Sequence, residues 1–188
     1  MTNPSVLRQE VGRLSLVTGP SRSGKSDWAE ALATQSGQPV LYIATSINSP
    51  DDLEWQARIQ RHRDRRPAHW TLWEVPHTLA DAIAQAPERH CILIDSLGTW
   101  LANQIDQPTA QWQKTEAELL ATLQRSAQPI ILVAEEVGWG VVPAYPVGRL
   151  FRDRLGTLSR RIGVIADRVY LVAAGYALDL KTLGHPVP

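Results

Sequence analysis

The chain has 188 residues, an apolar fraction of 44% and as many basic as acidic residues, 19 of each. That length suits one α/β domain with a core of its own, and a zero formal charge gives no electrostatic reason to expect nucleic acid or an acidic membrane as partner. Cys91 is the single cysteine, which excludes a disulfide within the chain and suits a reducing compartment.

Residues 1–12 are polar and mixed, with no apolar stretch of the secretory type. They read as a flexible N-terminal tail ahead of a nucleotide-binding domain over 13–188. The run Arg13-Leu14-Ser15-Leu16-Val17-Thr18 predicts a first strand that ends at Gly19-Pro20. A helix follows over 26–35, stopped near Gly37, and then a second buried strand over 40–44. Another helix is expected over 51–64, opened by Ser49-Pro50 and closed by Pro67. Residues 70–75 alternate bulky and polar side chains, as an edge strand does, and 77–85 suit a short helix.

Cys91-Ile92-Leu93-Ile94 is an apolar run ending in Asp95, a third core strand in which Cys91 is a buried, unreactive thiol. A helix over 109–125, a fourth core strand over 129–134, a helix over 149–166 and a strand over 168–173 complete the series. Pro143, Pro146 and Gly148 mark a loop before the last helix. Short strands alternating with helices predict a mostly parallel sheet flanked by helices. No run approaches the ~18–20 apolar residues of a membrane span, so a soluble, cytoplasmic protein is expected.

Gly19-Pro20-Ser21-Arg22-Ser23-Gly24-Lys25-Ser26 fits G-x-x-x-x-G-K-[ST] at every fixed position. Its glycines let the backbone fold tightly enough to aim N–H groups at phosphates, with a helix N-terminus behind them. Lys25 reaches the β- and γ-phosphates of a nucleoside triphosphate in such a loop, and the Ser26 hydroxyl joins the Mg²⁺ shell. The motif also follows an apolar strand and opens a helix, which places the chain among P-loop NTPases of RecA-like α/β type. Asp95, at the end of a core strand, has the setting of a second Mg²⁺ anchor, or else of an N-cap for the helix that follows. Glu135 and Glu136, ending the next core strand, are rival acids for the same crevice.

The second unusual segment is Arg58-Ile59-Gln60-Arg61-His62-Arg63-Asp64-Arg65-Arg66-Pro67. On a helix, Arg58, His62 and Arg65 or Arg66 share a face. Surrounding positive charge favours neutral imidazole, the nucleophilic form, and guanidiniums grip phosphate oxygens. Spacing alone favours a solvated basic helix with an incidental histidine. No H-E-x-x-H or C-x-x-C spacing exists for zinc. The seven tryptophans are scattered as packing or interface residues, with Trp139 in the glycine loop Gly138-Trp139-Gly140 placed to border a ligand.

From about Leu14 to Val172 the chain resembles the bifunctional adenosylcobinamide kinase / adenosylcobinamide-phosphate guanylyltransferase family of the cobalamin pathway. The features that carry the resemblance are the phosphate loop with Thr18, Tyr42-Ile43-Ala44-Thr45, Arg58-Ile59 with His62 and Arg66-Pro67, and Trp70. Leu93-Ile94-Asp95, the segment from Glu136 to Pro143, and Arg149-Leu150-Phe151-Arg152-Asp153 extend it. The resemblance implies two reactions: phosphorylation of a hydroxyl of adenosylcobinamide by ATP or GTP, then transfer of GMP from GTP, through a covalent histidine intermediate, to adenosylcobinamide phosphate. It assigns that histidine to His62, nucleotide contacts to Arg58, Arg66, Asp95 and Glu136, and it implies a homotrimer. Arg61 stands where members often carry a second histidine, and Ser159-Arg160 replaces a familiar Asn-Gln pair. A kinase without the second activity and a RecA-like nucleic-acid NTPase are the alternatives, the latter opposed by the neutral net charge.

Overall fold

The structure, a computed structural model, describes residues 11–47, Gln60 and 66–187. Its centre is a seven-stranded sheet in the order β3-β2-β4-β5-β1-β6-β7. The strands are β1 (Leu14–Gly19), β2 (Val40–Ala44), β3 (Thr71–Glu74), β4 (Cys91–Asp95), β5 (Ile130–Glu135), β6 (Arg168–Ala173) and β7 (Tyr176–Asp179). All neighbours pair in parallel except β6 with β7, which form an antiparallel hairpin. The expected parallel sheet is therefore present, with the segment at 70–75 as its edge strand.

Six described helices connect these strands or follow them: α1 (Lys25–Gln35), α2 (Leu79–Ala84), α3 (Leu97–Ala102), α4 (Thr109–Arg125), α5 (Pro146–Ile165) and α6 (Leu180–Leu183). The helix expected over 51–64 lies outside the described residues apart from Gln60, which is helical. Alternation along the central strands splits the core in two. Leu14, Leu16, Ile92, Ile94, Ile130 and Leu132 face one layer, packed by α2, α3, α4 and α5 through residues such as Trp100, Leu119 and Leu158. Val17, Leu93, Ile131 and Val133 face the other, packed by Ala29, Leu32 and Ala33 of α1. Burial on both faces explains why these strands read as unbroken apolar runs.

Three differences from the sequence expectations have local causes. Helix α5 starts at Pro146 rather than 149, because a proline at the first helical position needs no N–H partner and its ring presets φ for a helix. Tyr145, just before it, is extended, as residues preceding proline are. Helix α3 was missed: six residues with an internal glycine give too short a periodic signal, and its start rests on a capping box centred on Ser96. Strand β7 gives little sequence signal because it is only four residues long and half-exposed, and it follows β6 directly through a turn at Ala174 and Gly175.

Cys91 lies fully buried in β4, and burial pushes its thiol up to about 11 from an ordinary 9.0. The unfolded thiol ionises first, so this group's share of stability is intact below pH 9 and is lost as pH climbs toward 11. The folded protein is expected to resist iodoacetamide at pH 8 and to take up one equivalent after urea unfolding, as read by mass spectrometry. Alkylation of the native protein at the unfolded rate would contradict the burial.

Candidate functional site

Parallel pairing brings the carboxyl ends of four neighbouring strands to one edge of the sheet. Asp95 lies level with Ala44 of β2 and Val133 of β5, and Gly19 lies level with Glu135. Because β5 separates β1 from β4, the phosphate loop and Asp95 stand two strand spacings apart, about 10 Å.

The loop between β1 and α1 has the backbone that its glycines allow. Gly19 has φ 152°, and a Cβ there would collide with the carbonyl oxygen of Val172 on β6. Gly24, at φ 96°, is the N-cap of α1 and provides no side-chain cap, so the first N–H groups of an 11-residue helix open into the loop. Arg22 also has positive φ, 57°, which folds the loop back on itself. Lys25 is only 7% exposed, and its Nζ donates to the Pro20 carbonyl at 2.7 Å. The ammonium thus lies over its own loop, where a triphosphate would meet it. Ser26 occupies the first turn of α1, while Ser23 Oγ is buried with no hydrogen-bond partner among the described residues.

The three acids at the strand ends have different surroundings. Asp95 Oδ2 accepts the Tyr42 hydroxyl at 2.9 Å. Tyr42 is buried beneath Arg66, whose guanidinium sits 4.4 Å from the ring centroid, and stacks at 6.4 Å with Trp70. Burial, with the Asp95 carboxylate adding to it, holds the Tyr42 phenol well above its usual range, so it remains a donor to Asp95. The cap of α3 is Ser96, not Asp95: its Oγ accepts from the Thr99 N–H at 3.3 Å, and its own N–H donates to Thr45 Oγ1 at 3.0 Å.

Glu135 serves that same helix start, accepting from Ser96 Oγ at 2.6 Å and from the Gly98 N–H at 3.0 Å. Its negative charge there complements the helix N-terminus. A Cβ at position 98 would collide with the Glu135 carboxylate, which accounts for the glycine inside this short helix. Glu136 turns elsewhere. Its N–H donates to the Gly19 carbonyl at 2.8 Å, and its carboxylate accepts from the Gly138 N–H at 2.5 Å.

The structure therefore brings the residues at 19–26, Asp95, Glu136 and Arg66 to one edge of the sheet, whereas Arg58 and His62 lie outside the described residues. Tyr42, Thr45 and Ser96 are the members that motif reasoning assigned no task. Thr45 and Ser96 each directly follow a strand end, of β2 and β4, whereas Tyr42 lies in the middle of β2 and carried a signal only as part of the segment Tyr42-Ile43-Ala44-Thr45. Serine hydroxyl and aspartate carboxylate form a hard oxygen donor set suited to Mg²⁺, which keeps waters and substrate phosphates as its other ligands. No group of three or more His, Cys, Asp or Glu gathers among the described residues. No helix among them is long and apolar enough to cross a membrane.

Residues 15–180 match the family model described as cobinamide kinase / cobinamide phosphate guanyltransferase. The chain is 41% identical over 175 residues to the bifunctional adenosylcobalamin biosynthesis protein CobP of Pseudomonas aeruginosa, covering 92% of this chain and 98% of that one. It is 39% identical over 183 residues to the bifunctional adenosylcobalamin biosynthesis protein CobU of Salmonella typhimurium, covering 88% and 98%. Among solved structures, the flagellar accessory protein FlaH of Methanocaldococcus jannaschii superposes with a TM-score of 0.51 at 13% identity, over 94% of this chain and 83% of that one. This last likeness concerns the fold alone, and that fold is the P-loop NTPase one.

Replacing Ser96 by Ala removes the α3 cap and strips the Glu135 carboxylate of its hydroxyl donor. Together these should cost about 2 kcal/mol of stability. Urea unfolding of Ser96→Ala is the check, and a loss under about 0.5 kcal/mol would contradict the role given to this network.

Proposed function

The chain belongs to the cobinamide kinase / cobinamide phosphate guanyltransferase family, and from that premise we propose that one nucleotide crevice at the carboxyl edge of its sheet serves both transfers. The enzyme is a transferase that uses nucleoside triphosphates. In the first reaction the γ-phosphoryl group of ATP or GTP passes to a hydroxyl of adenosylcobinamide. In the second, His62 attacks the α-phosphorus of GTP, a histidine–phosphorus bond forms, and pyrophosphate leaves. The bound GMP then passes to the phosphate of adenosylcobinamide phosphate, freeing His62 and giving adenosylcobinamide-GDP.

The observation that carries this reading is the placement of the Gly19–Ser26 loop beside Asp95 on the tips of a parallel sheet. The backbone of Gly19, Pro20, Ser21, Arg22, Ser23 and Gly24 wraps the β- and γ-phosphates, and Lys25 leaves the Pro20 carbonyl to neutralise them. Exchanging a neutral carbonyl for phosphate oxygens favours that move, because charge-assisted hydrogen bonds are the stronger ones. Ser26 and Asp95 hold Mg²⁺, which when bound screens the charge that builds on the phosphate oxygens. Tyr42 supports that task by keeping Asp95 in one rotamer through its hydroxyl.

Arg66, whose guanidinium sits over the Tyr42 ring, stands at this edge ready for phosphate oxygens, and Arg58 is the second guanidinium assigned to them. Glu136 borders the loop through the bond from its N–H to Gly19. The working form is a cytoplasmic homotrimer. Exposed apolar side chains on β7 and α6, Leu178 and the 68% exposed Leu183 among them, support burial against another copy. The balanced charge supports small-molecule rather than nucleic-acid partners.

Incubation with GTP labelled at its α-phosphate should leave an acid-labile label on the wild-type protein and none on His62→Ala. The variant should still bind the triphosphate with an affinity within about threefold of wild type. An unlabelled wild-type protein that nevertheless phosphorylates cobinamide would leave a kinase alone. Label on His62→Ala would move the nucleophile elsewhere.

A further inference from the structure

A cleft of about 250 Å³ opens between the end of β5 and one face of α5, and the nucleotide chemistry described above draws on none of its lining except Glu136. Glu135 and Glu136 wall its inner side, followed by Val137 and Gly138, and the outer side is α5 from Arg152 to Ser159. Its position is informative. Glu136 is tied to the first glycine of the phosphate loop by the bond from its N–H to the Gly19 carbonyl, so the cleft begins where the loop does.

Two features indicate that this space is kept open. Gly156 stands in the middle of a 20-residue helix, where glycine costs about 1 kcal/mol relative to alanine, and a Cβ there would meet nothing within 4 Å. Ser159, one turn further along α5, has a buried hydroxyl with no hydrogen-bond partner among the described residues. A close-packed interior does not ordinarily leave a hydroxyl unpaired, and a polar group brought in by a ligand would satisfy it.

We propose that this cleft is the acceptor pocket of the kinase reaction and admits the hydroxyl-bearing arm of cobinamide, with Glu136 accepting the hydrogen bond of that hydroxyl. The proposal rests on the family's kinase activity. Size restricts what can enter. Drug-sized ligands occupy about 300–1,000 Å³, so this cleft holds a flexible arm and excludes a corrinoid ring. The ring must then lie outside, and the chain continues from Gly138 at the rim into the 65% exposed Trp139 and the 94% exposed Val141, apolar surface suited to its flat face.

In the transfer, the bond between acceptor oxygen and γ-phosphorus forms as the bridging oxygen–phosphorus bond breaks. The nucleoside diphosphate leaves with that electron pair, and the hydroxyl proton passes to the Glu136 carboxylate. Arg152 and Asp153 supply both a donor and an acceptor for the polar atoms of the arm.

The test is a size series at position 156, Gly156→Ala and Gly156→Leu. Both substitutions raise helix propensity, so folding is not put at risk. The KM for cobinamide should rise in steps, by about tenfold or more for leucine, while the GTP-derived protein label stays within about twofold of wild type. Glu136→Gln should lower kcat for phosphorylation by about a hundredfold. An unchanged cobinamide KM in Gly156→Leu, with wild type active, overturns the pocket alone. Loss of nucleotide labelling in step with cobinamide binding also overturns it, since the cleft would then belong to the nucleotide. A wild-type enzyme that phosphorylates no cobinamide refutes the kinase reading itself.

Discussion

Strand β5 lies between the strand that carries the phosphate loop and the strand that carries Asp95, and the functional edge of the molecule is organised by that single intervening spacing. Were β1 and β4 direct neighbours, a loop and a carboxylate at adjacent tips would leave no room for a triphosphate and its metal between them. With β5 inserted, the gap widens to about 10 Å, and the tip of β5 itself brings two more acids, Glu135 and Glu136, to the same edge. Parallel pairing then matters a second time. It puts the carboxyl ends of the parallel strands, and the loops that leave them, at one edge, so those loops are free to specialise while the helix-to-strand connections at the opposite edge close the fold.

The three acids at that edge show how neighbouring backbone atoms divide one residue type into separate tasks. Glu135 is taken up by Ser96 and by the Gly98 N–H, and so anchors the start of α3. Asp95 is held by the Tyr42 hydroxyl on one oxygen, in an environment where Arg66 adds positive charge across the same ring. Glu136 leans away toward Gly138 and the cleft beside α5. On the proposed reading, a chain with only one acid at these tips would have to choose between anchoring a helix start, holding a metal and receiving a proton.

Legibility in the sequence followed the strength of each local signal. The phosphate loop and the central strands were readable, since glycine spacing and unbroken apolar runs reflect backbone geometry and burial on two faces. Residue 95 was readable as a site residue but not as distinct from an N-cap. That distinction needed the Ser96 hydroxyl, and a side chain's rotamer leaves no trace in spacing. Tyr42 was visible only as part of a motif, because its value comes from Asp95 and Arg66, 53 and 24 positions away in the chain. The cleft beside α5 was invisible for the same reason: it is an absence of atoms between two elements, marked only by a glycine inside a helix. His62 and Arg58 rest on the family alone, since they fall outside the described residues.

The central claim is that one phosphate grip serves two chemically different transfers. It is tested most directly by measuring both activities on Lys25→Ala, which removes the ammonium that lies over the phosphate loop with its bond to the Pro20 carbonyl. If the crevice is shared, γ-phosphoryl transfer to cobinamide and GMP incorporation into the protein should both fall, each by about a hundredfold or more. Loss of one activity with the other retained near the wild-type rate would contradict the account and require a second nucleotide site.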